Sequence, residues 1–263
     1  GLAIADKLRT QVTSINQGIS NGNSAVALLQ ITDKSMAEQS KILDTIKSKL
    51  IQANTDTTST AGRTAIAKDI TKLLQQLNNI GEQTNYNGTT LLQAKRTTAD
   101  ASKEGNLTAA RTAKGGLSFQ IGEGTADLIT TRTINSNVAG LKLSALAKAV
   151  RSGAKVSAGA TAGTTGVFTR TMAQSGQKAI DKAITTLNGY RGDIGSTQNQ
   201  VESAVRNLMT QATNIKNAES VIRDVDYAEE SANFNKLNII SQAGSYAISQ
   251  SNAVSQNVLR LLQ

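Results

Sequence analysis

The 263-residue chain contains no proline, cysteine, histidine or tryptophan, and only three phenylalanines and four tyrosines. Ordinary usage would place roughly a dozen prolines in this length. Their absence removes the strongest helix breaker and permits long, uninterrupted helices. Without cysteine there is no disulfide framework, no thiolate zinc site and no thiol nucleophile. Without histidine, the usual general base and the commonest metal ligand are missing as well. The residues imply no catalytic, cofactor-binding or metal site, and the chain is not expected to be an enzyme.

Large apolar side chains are also scarce. The hydrophobic fraction is 38% and aromatics make up 3%. A thick core is hard to build from this material, whereas narrow helical seams of Leu, Ile, Val and Ala suit it. No apolar run approaches the ~18 residues of a membrane span, so no membrane partner is expected. The chain opens at Gly1 with no Met, basic n-region or signal-peptide core, which reads as a trimmed N-terminus.

Acidic residues are missing from one stretch. Between Leu128 and Ile180 there is no Asp or Glu, while Arg132, Lys142, Lys148, Arg151, Lys155, Arg170 and Lys178 all fall there. The net charge of +9 is thus concentrated in one module. A basic nucleic-acid-binding coiled coil would use such charge. These cations, however, sit in Gly/Ser/Thr-rich sequence without stacking aromatics, so no nucleic-acid partner is expected.

What is present is periodicity. Leu8, Ile15, Gly22, Leu29, Met36, Leu43 and Leu50 recur at intervals of seven, with Val12, Ile19 and Val26 at the alternate seam position. This a/d pattern, interrupted only at Gly22, predicts a long coiled-coil helix ending at the polar run from Asn54 to Thr58. A second helix is expected from about Gly62 to Ile80, with a stripe of Ile66, Ile70, Leu73, Leu77 and Ile80. Asn85-Tyr86-Asn87-Gly88 then marks a tight turn.

From Thr89 to about Ala173 the helical period is mostly lost. Leu117 to Ile121 alternates as a half-buried strand, Gly122-Glu123-Gly124 can turn the chain, and Asp127 to Thr133 can return as its partner. Leu141 to Val150 reads as a short helix. Ser152 to Thr169 reads as a flexible exposed loop. Periodicity resumes at Ile180, Leu187, Ile194, Val201, Leu208, Ile215 and Ile222. A weaker seam follows through Leu237, Ile240, Ala247, Val254, Val258 and Leu261. The expected fold is mainly α: an elongated coiled-coil rod with a small β element. Its modules are 1–94, the N-terminal rod helices and turn; 95–173, the β element and basic outer loop; 174–222, the C-terminal rod helix; and 223–263, a terminal helix.

Several separate motifs carry a family resemblance. Gly1-Leu2-Ala3-Ile4-Ala5-Asp6-Lys7-Leu8, Thr84-Asn85-Tyr86-Asn87-Gly88-Thr89-Thr90-Leu91-Leu92 and Phe119-Gln120-Ile121-Gly122 occur in that order. Ala218 to Glu230 and the ending Asn257-Val258-Leu259-Arg260-Leu261-Leu262-Gln263 follow. Together they resemble the bacterial flagellins across nearly the whole chain, except Lys95 to Arg111 and Ser144 to Arg170. Measured against that family, the chain would lack about fifty residues before Gly1 and the large outer domains that many members carry. The first of these departures leads to the expectation that this exact chain stays monomeric with its terminal helix mobile.

The resemblance implies a secreted structural subunit, exported unfolded with a chaperone, folding beneath a filament cap and packing with other subunits into the extracellular flagellar filament used for motility. The modules 1–94 and 174–222 would form the rod, and 223–263 the inner tube. A flagellin-like hook–filament junction protein and a secreted paralogue are the alternatives. One further expectation comes from the resemblance alone. The stretch Leu43 to Gln52 corresponds to the surface gripped by the vertebrate innate flagellin receptor. Its Arg, Glu and Leu contacts fall on Thr45, Ser48 and Lys49, with Lys47 in place of a second Arg. This set is similar to flagellins of the epsilon-proteobacterial branch and implies weak or no binding to that receptor.

Overall fold

The computed structural model describes residues 1–94, 113–157 and 159–262. Part of the outer module (95–112), Ala158 and Gln263 lie outside the described residues. The elements in order are α1 (Leu2–Ala53), α2 (Thr60–Gln83), β1 (Asn85–Tyr86), β2 (Thr89–Thr90), β3 (Ser118–Gln120), β4 (Leu128–Thr130), α3 (Ser144–Ala154) and α4 (Arg170–Leu262). The fold is mainly α. The chain divides into two compact units: Gly18–Arg206, and Gly1–Gln17 together with Asn207–Gln263.

In the larger unit the heptad residues close the core. Leu29, Met36, Leu43, Leu50, Ile180, Leu187 and Val201 are fully buried and Ile194 nearly so. Here α1 and α4 run antiparallel, as the bonds from Asn54 to Gln177 (2.8 Å), Lys47 to Asp181 (2.8 Å) and Arg191 to Asp33 (3.0 Å) show. The missing knob at Gly22 has a steric cause. A Cβ there would overlap Val205 Cγ2 and would also meet Ile121 and Val201. Glycine at this heptad position therefore admits close contact with two α4 valines instead of leaving a hole. Gly176 does the same from the other side, where an added Cβ would lie 2.9 Å from Leu146 and 3.1 Å from Leu50.

Chain reversal after α1 is fixed by its own unsatisfied carbonyls. The last carbonyls of a helix need outside donors. Arg63 of α2 supplies them to Ala53 (2.8 Å) and Thr55 (3.0 Å), and Arg170 of α4 to Asn54 (2.8 Å). Thr58 Oγ1 donates to Gln52 (2.6 Å). Ser59 then caps α2, its Oγ accepting from the Gly62 amide at 3.0 Å. Two arginines from separate helices thus converge on one helix end.

The stripe expected on α2 is shifted. Ile66, Ile70 and Leu77 are buried, but Leu74 takes the full burial expected of Leu73, while Leu73 and Ile80 are half-exposed. The cause is a second partner. α2 packs α3 as well as α1, with Ala67 against Gly153, so its buried arc is wider than one seam and centred to one side. Near its C-terminal end this arc is polar. Gln39 Nε2 donates to Leu77 (3.2 Å) and Ser136 (2.9 Å). Asn78 accepts from the Val138 amide (2.8 Å), and Asn137 donates to Gln93 (2.9 Å). Gln39, Asn78, Gln93 and Asn137 are all buried.

The turn at Asn87-Gly88 is a two-residue hairpin joining β1 and β2, with φ of 51° and 83° at its centre. Positive φ at both positions is the type I′ signature that Asn-Gly favours. β3 and β4 pair antiparallel, Phe119 opposite Ile129, where the sequence alternation places a hairpin. The short helix begins and ends a few residues later than expected, at Ser144–Ala154. Ser152 to Thr169 is not an exposed loop throughout. Its start is the last turn of α3, and Val167 and Phe168 are buried, Phe168 completely. Thr169 then caps α4, its Oγ1 accepting from the Met172 amide at 3.2 Å.

Two substitutions test this packing. Leu29→Ala is expected to destabilise the larger unit by about 2–5 kcal/mol, since it removes a fully buried side chain. Gly22→Val is expected to cost about 1–3 kcal/mol by overpacking against Val205. Both are read from urea melts followed by circular dichroism, and a Gly22→Val melt equal to that of the parent would refute the close-contact account.

Candidate assembly surface

The smaller unit combines the first turns of α1 with the last part of α4. Ala5, Ile15, Leu208 and Glu219 are buried in it, and Leu8, Ile215 and Ile222 are half-buried. Glu219 pairs with Arg223 one turn on. α4 shows no break where the terminal module was drawn, running unbroken through residue 222 to Leu262. What changes there is burial. Among the described residues beyond Ile222, every large apolar side chain is exposed.

The exposure is extensive. Leu237, Ile240, Val254, Val258 and Leu261 are 48–86% exposed, and Ala247 is exposed with them. At 100° per residue these positions share one face of the helix. They are not the whole of it. Ile239 and Tyr246 flank the stripe on one edge, and Phe234, Ile248 and Leu259 flank it on the other, so the exposed apolar arc wraps well over half of the helix. A soluble chain rarely leaves so much contiguous apolar surface uncovered unless another macromolecule covers it. Apolar side chains around more than one face further imply neighbours on more than one side. The sequence reading found the first face by its heptads and missed the second. Tyr246 follows Ile239 by seven residues, which was the available signal.

Thr45, Lys47, Ser48 and Lys49 do not form one free surface. Lys47 reaches α4 at Asp181, whereas Lys49 reaches α2 at Asp69 (3.3 Å). Thr45 and Ser48 are exposed, and Thr45 Oγ1 donates to its own helix at Lys41 (3.0 Å). Helical spacing puts Thr45, Ser48 and Lys49 on one face and Lys47 on another.

Heptad-paired helices, two small hairpins and a bare helical segment define a helical assembly protein. The comparisons identify which kind. The bacterial flagellin N-terminal helical region matches residues 1–97, and the bacterial flagellin C-terminal helical region matches 177–262. The flagellin of Bacillus subtilis is 31% identical, the match covering 100% of this chain and 86% of that protein. Flagellin A of Helicobacter pylori is 27% identical, with 100% and 91% covered. Among solved structures, Bacillus cereus flagellin aligns with a TM-score of 0.51 at 22% identity, covering 76% of this chain and 94% of that one. A putative flagellar hook-associated protein from Vibrio parahaemolyticus aligns with 0.60 at 13%, covering 82% and 94%. At these identities the structures show the shared fold alone. The chain belongs to the bacterial flagellins, the structural subunits of the flagellar filament.

The burial contrast along α4 gives a direct test. Leu208→Ala, at a buried seam position, is expected to lower the stability of its unit by about 2–5 kcal/mol. Leu237→Ser with Ile240→Ser is expected to change the stability of the isolated chain by less than about 0.5 kcal/mol. Hydrogen exchange resolves the two. Equal loss of protection in both variants would mean that the terminal stripe is already packed within the chain.

Proposed function

We propose that the exposed segment from Val221 to Leu262 is the polymerising element of this subunit, and that it packs against several neighbouring copies at once. The observation that carries this reading is the apolar surface on more than one face of α4 (Leu237, Ile240, Val254 and Leu261 on one, Ile239 and Tyr246 on another). One partner helix would cover only one face. The heptad seam, buried from Leu29 to Leu50 and from Ile180 to Leu208, holds the chain's own helices together, and the terminal stripe joins it to other copies. From the family likeness we also infer export as an unfolded chain by the flagellar export apparatus with a chaperone, and folding beneath a filament cap. No helix of the described residues is long and apolar enough to cross a membrane.

The reading of the receptor region is a proposal of the same standing. Lys49, drawn toward Asp69, would have to leave its ion pair and be desolvated to enter a pocket shaped for leucine, which disfavours binding.

Expressed in place of the cell's own subunit, Leu237→Ser/Val254→Ser and, separately, Ile239→Ser/Tyr246→Ser are each expected to yield secreted subunit without filaments by electron microscopy. If the second pair assembles normally, the multi-sided packing is wrong. If both do, the segment is not the polymerising element.

A further inference from the structure

The stretch without acidic residues carries seven cations, and the structure sorts them. Arg170 is engaged with Asn54 and Asp56, Arg132 lies 3.9 Å from Asp193, and Arg151 has its own polar contacts. Lys142, Lys148, Lys155 and Lys178 are exposed and, among the described residues, have no ion-pair partner. Lys148 and Ser152 on the solvent stripe of α3, with Lys155 just past its C-terminal end, lie opposite its buried Leu146, Ala147, Val150 and Gly153. The seven-residue step between the two lysines places their Cα atoms about 10 Å apart along the helix axis. α2 adds to the same area. A Cβ at Gly153 would lie 3.2 Å from Ala67, so Lys68, exposed and without an ion-pair partner among the described residues, stands beside the turn that carries Lys155. Lys72 follows one turn later.

Beside Lys155 is a concavity of about 640 Å³ whose polar rim includes Ser152, Ser157, Thr164 and Thr165. Ammonium groups beside a ring of hydroxyls match a ligand bearing both acidic groups and hydroxyls. The ammonium pairs with carboxylate or sulfate, and the hydroxyls can both donate and accept. Nucleic acid fits less well. Phe168, which follows the loop, is completely buried, so it offers bases no face to stack on.

We propose that the α2–α3 face, centred on Lys148 and Lys155, binds acidic polysaccharide. The contact is electrostatic and weak for a single chain, and it strengthens with the number of acidic groups on the polymer. It involves no residue of the terminal stripe and does not depend on polymerisation.

The test uses the monomeric chain and four probes at low salt: alginate for carboxylates, heparin for sulfates, neutral dextran, and duplex DNA at equal charge concentration. Binding to alginate or heparin is expected at least tenfold tighter than to DNA, and absent for dextran. It should fall at least tenfold in Lys148→Glu/Lys155→Glu and rise as salt is lowered. Lys7→Glu/Lys34→Glu, changing two exposed lysines elsewhere, should stay within about twofold, and circular dichroism should show all variants equally helical. DNA binding as tight as polysaccharide binding would replace the proposal with a nucleic-acid site. Equal loss in both double variants, or no loss in the first, would reduce it to an effect of net charge and overturn it.

Discussion

The larger unit depends on close contact between two antiparallel helices along a seven-residue repeat. Its side chains are nearly all aliphatic, and each fully buried one contributes about 1.5–3 kcal/mol. The α1–α4 seam itself has little redundancy, since each of its layers is made by one or two residues from each helix, although α2 and α3 widen the core beside it. This explains why glycine appears at Gly22 and Gly176. Where the facing helix already supplies a valine or a leucine, the seam closes only if the opposite position has no side chain.

The same contact requires the helices to end in register, and the ends are fixed by polar groups. Arg63 and Arg170 both serve the last turn of α1, so α2 leaves and α4 arrives at positions set by the orphan carbonyls there. The deeper cluster of Gln39, Asn78, Gln93 and Asn137 acts similarly on the segment that follows the hairpins. Each backbone group it satisfies would otherwise be buried without a partner, at a cost of about 1–3 kcal/mol. Polar groups are specific where aliphatic ones are tolerant, and a seam of interchangeable Leu and Ile could otherwise slip by a heptad.

Legibility in the sequence followed from periodicity. The heptads on α1 and α4 and the Asn-Gly hairpin could be read because a repeat or a local steric rule marks them. Leu74 was misassigned to Leu73 because α2 serves two neighbours, and a single-stripe reading cannot see the second. Phe168 and Val167 were hidden by Gly/Ser/Thr-rich surroundings, although two adjacent large apolar residues there are a sign of anchoring. The buried amides were not legible at all. A polar residue in a helix looks the same whether it faces water or a carbonyl of another element. For the assembly surface, the heptad search found the stripe through Leu237 and Leu261 and overlooked Ile239 and Tyr246, because a two-helix coiled coil needs only one stripe.

α4 therefore carries one repeat to two ends. Up to Leu208 the seam is satisfied within the chain, and beyond Ile222 the same kind of residue at the same spacing is left open, with no change in helical backbone. An isolated helix is marginal in water, and its stability comes mainly from packing of its apolar face. The terminal segment thus has strong helical periodicity and little of the packing that would stabilise it. On the function proposed above, its packing is left to come from association, while the larger unit buries its own seam. The absence of proline serves both ends, since a break anywhere in α4 would interrupt the one helix that carries the buried and the exposed parts of the repeat.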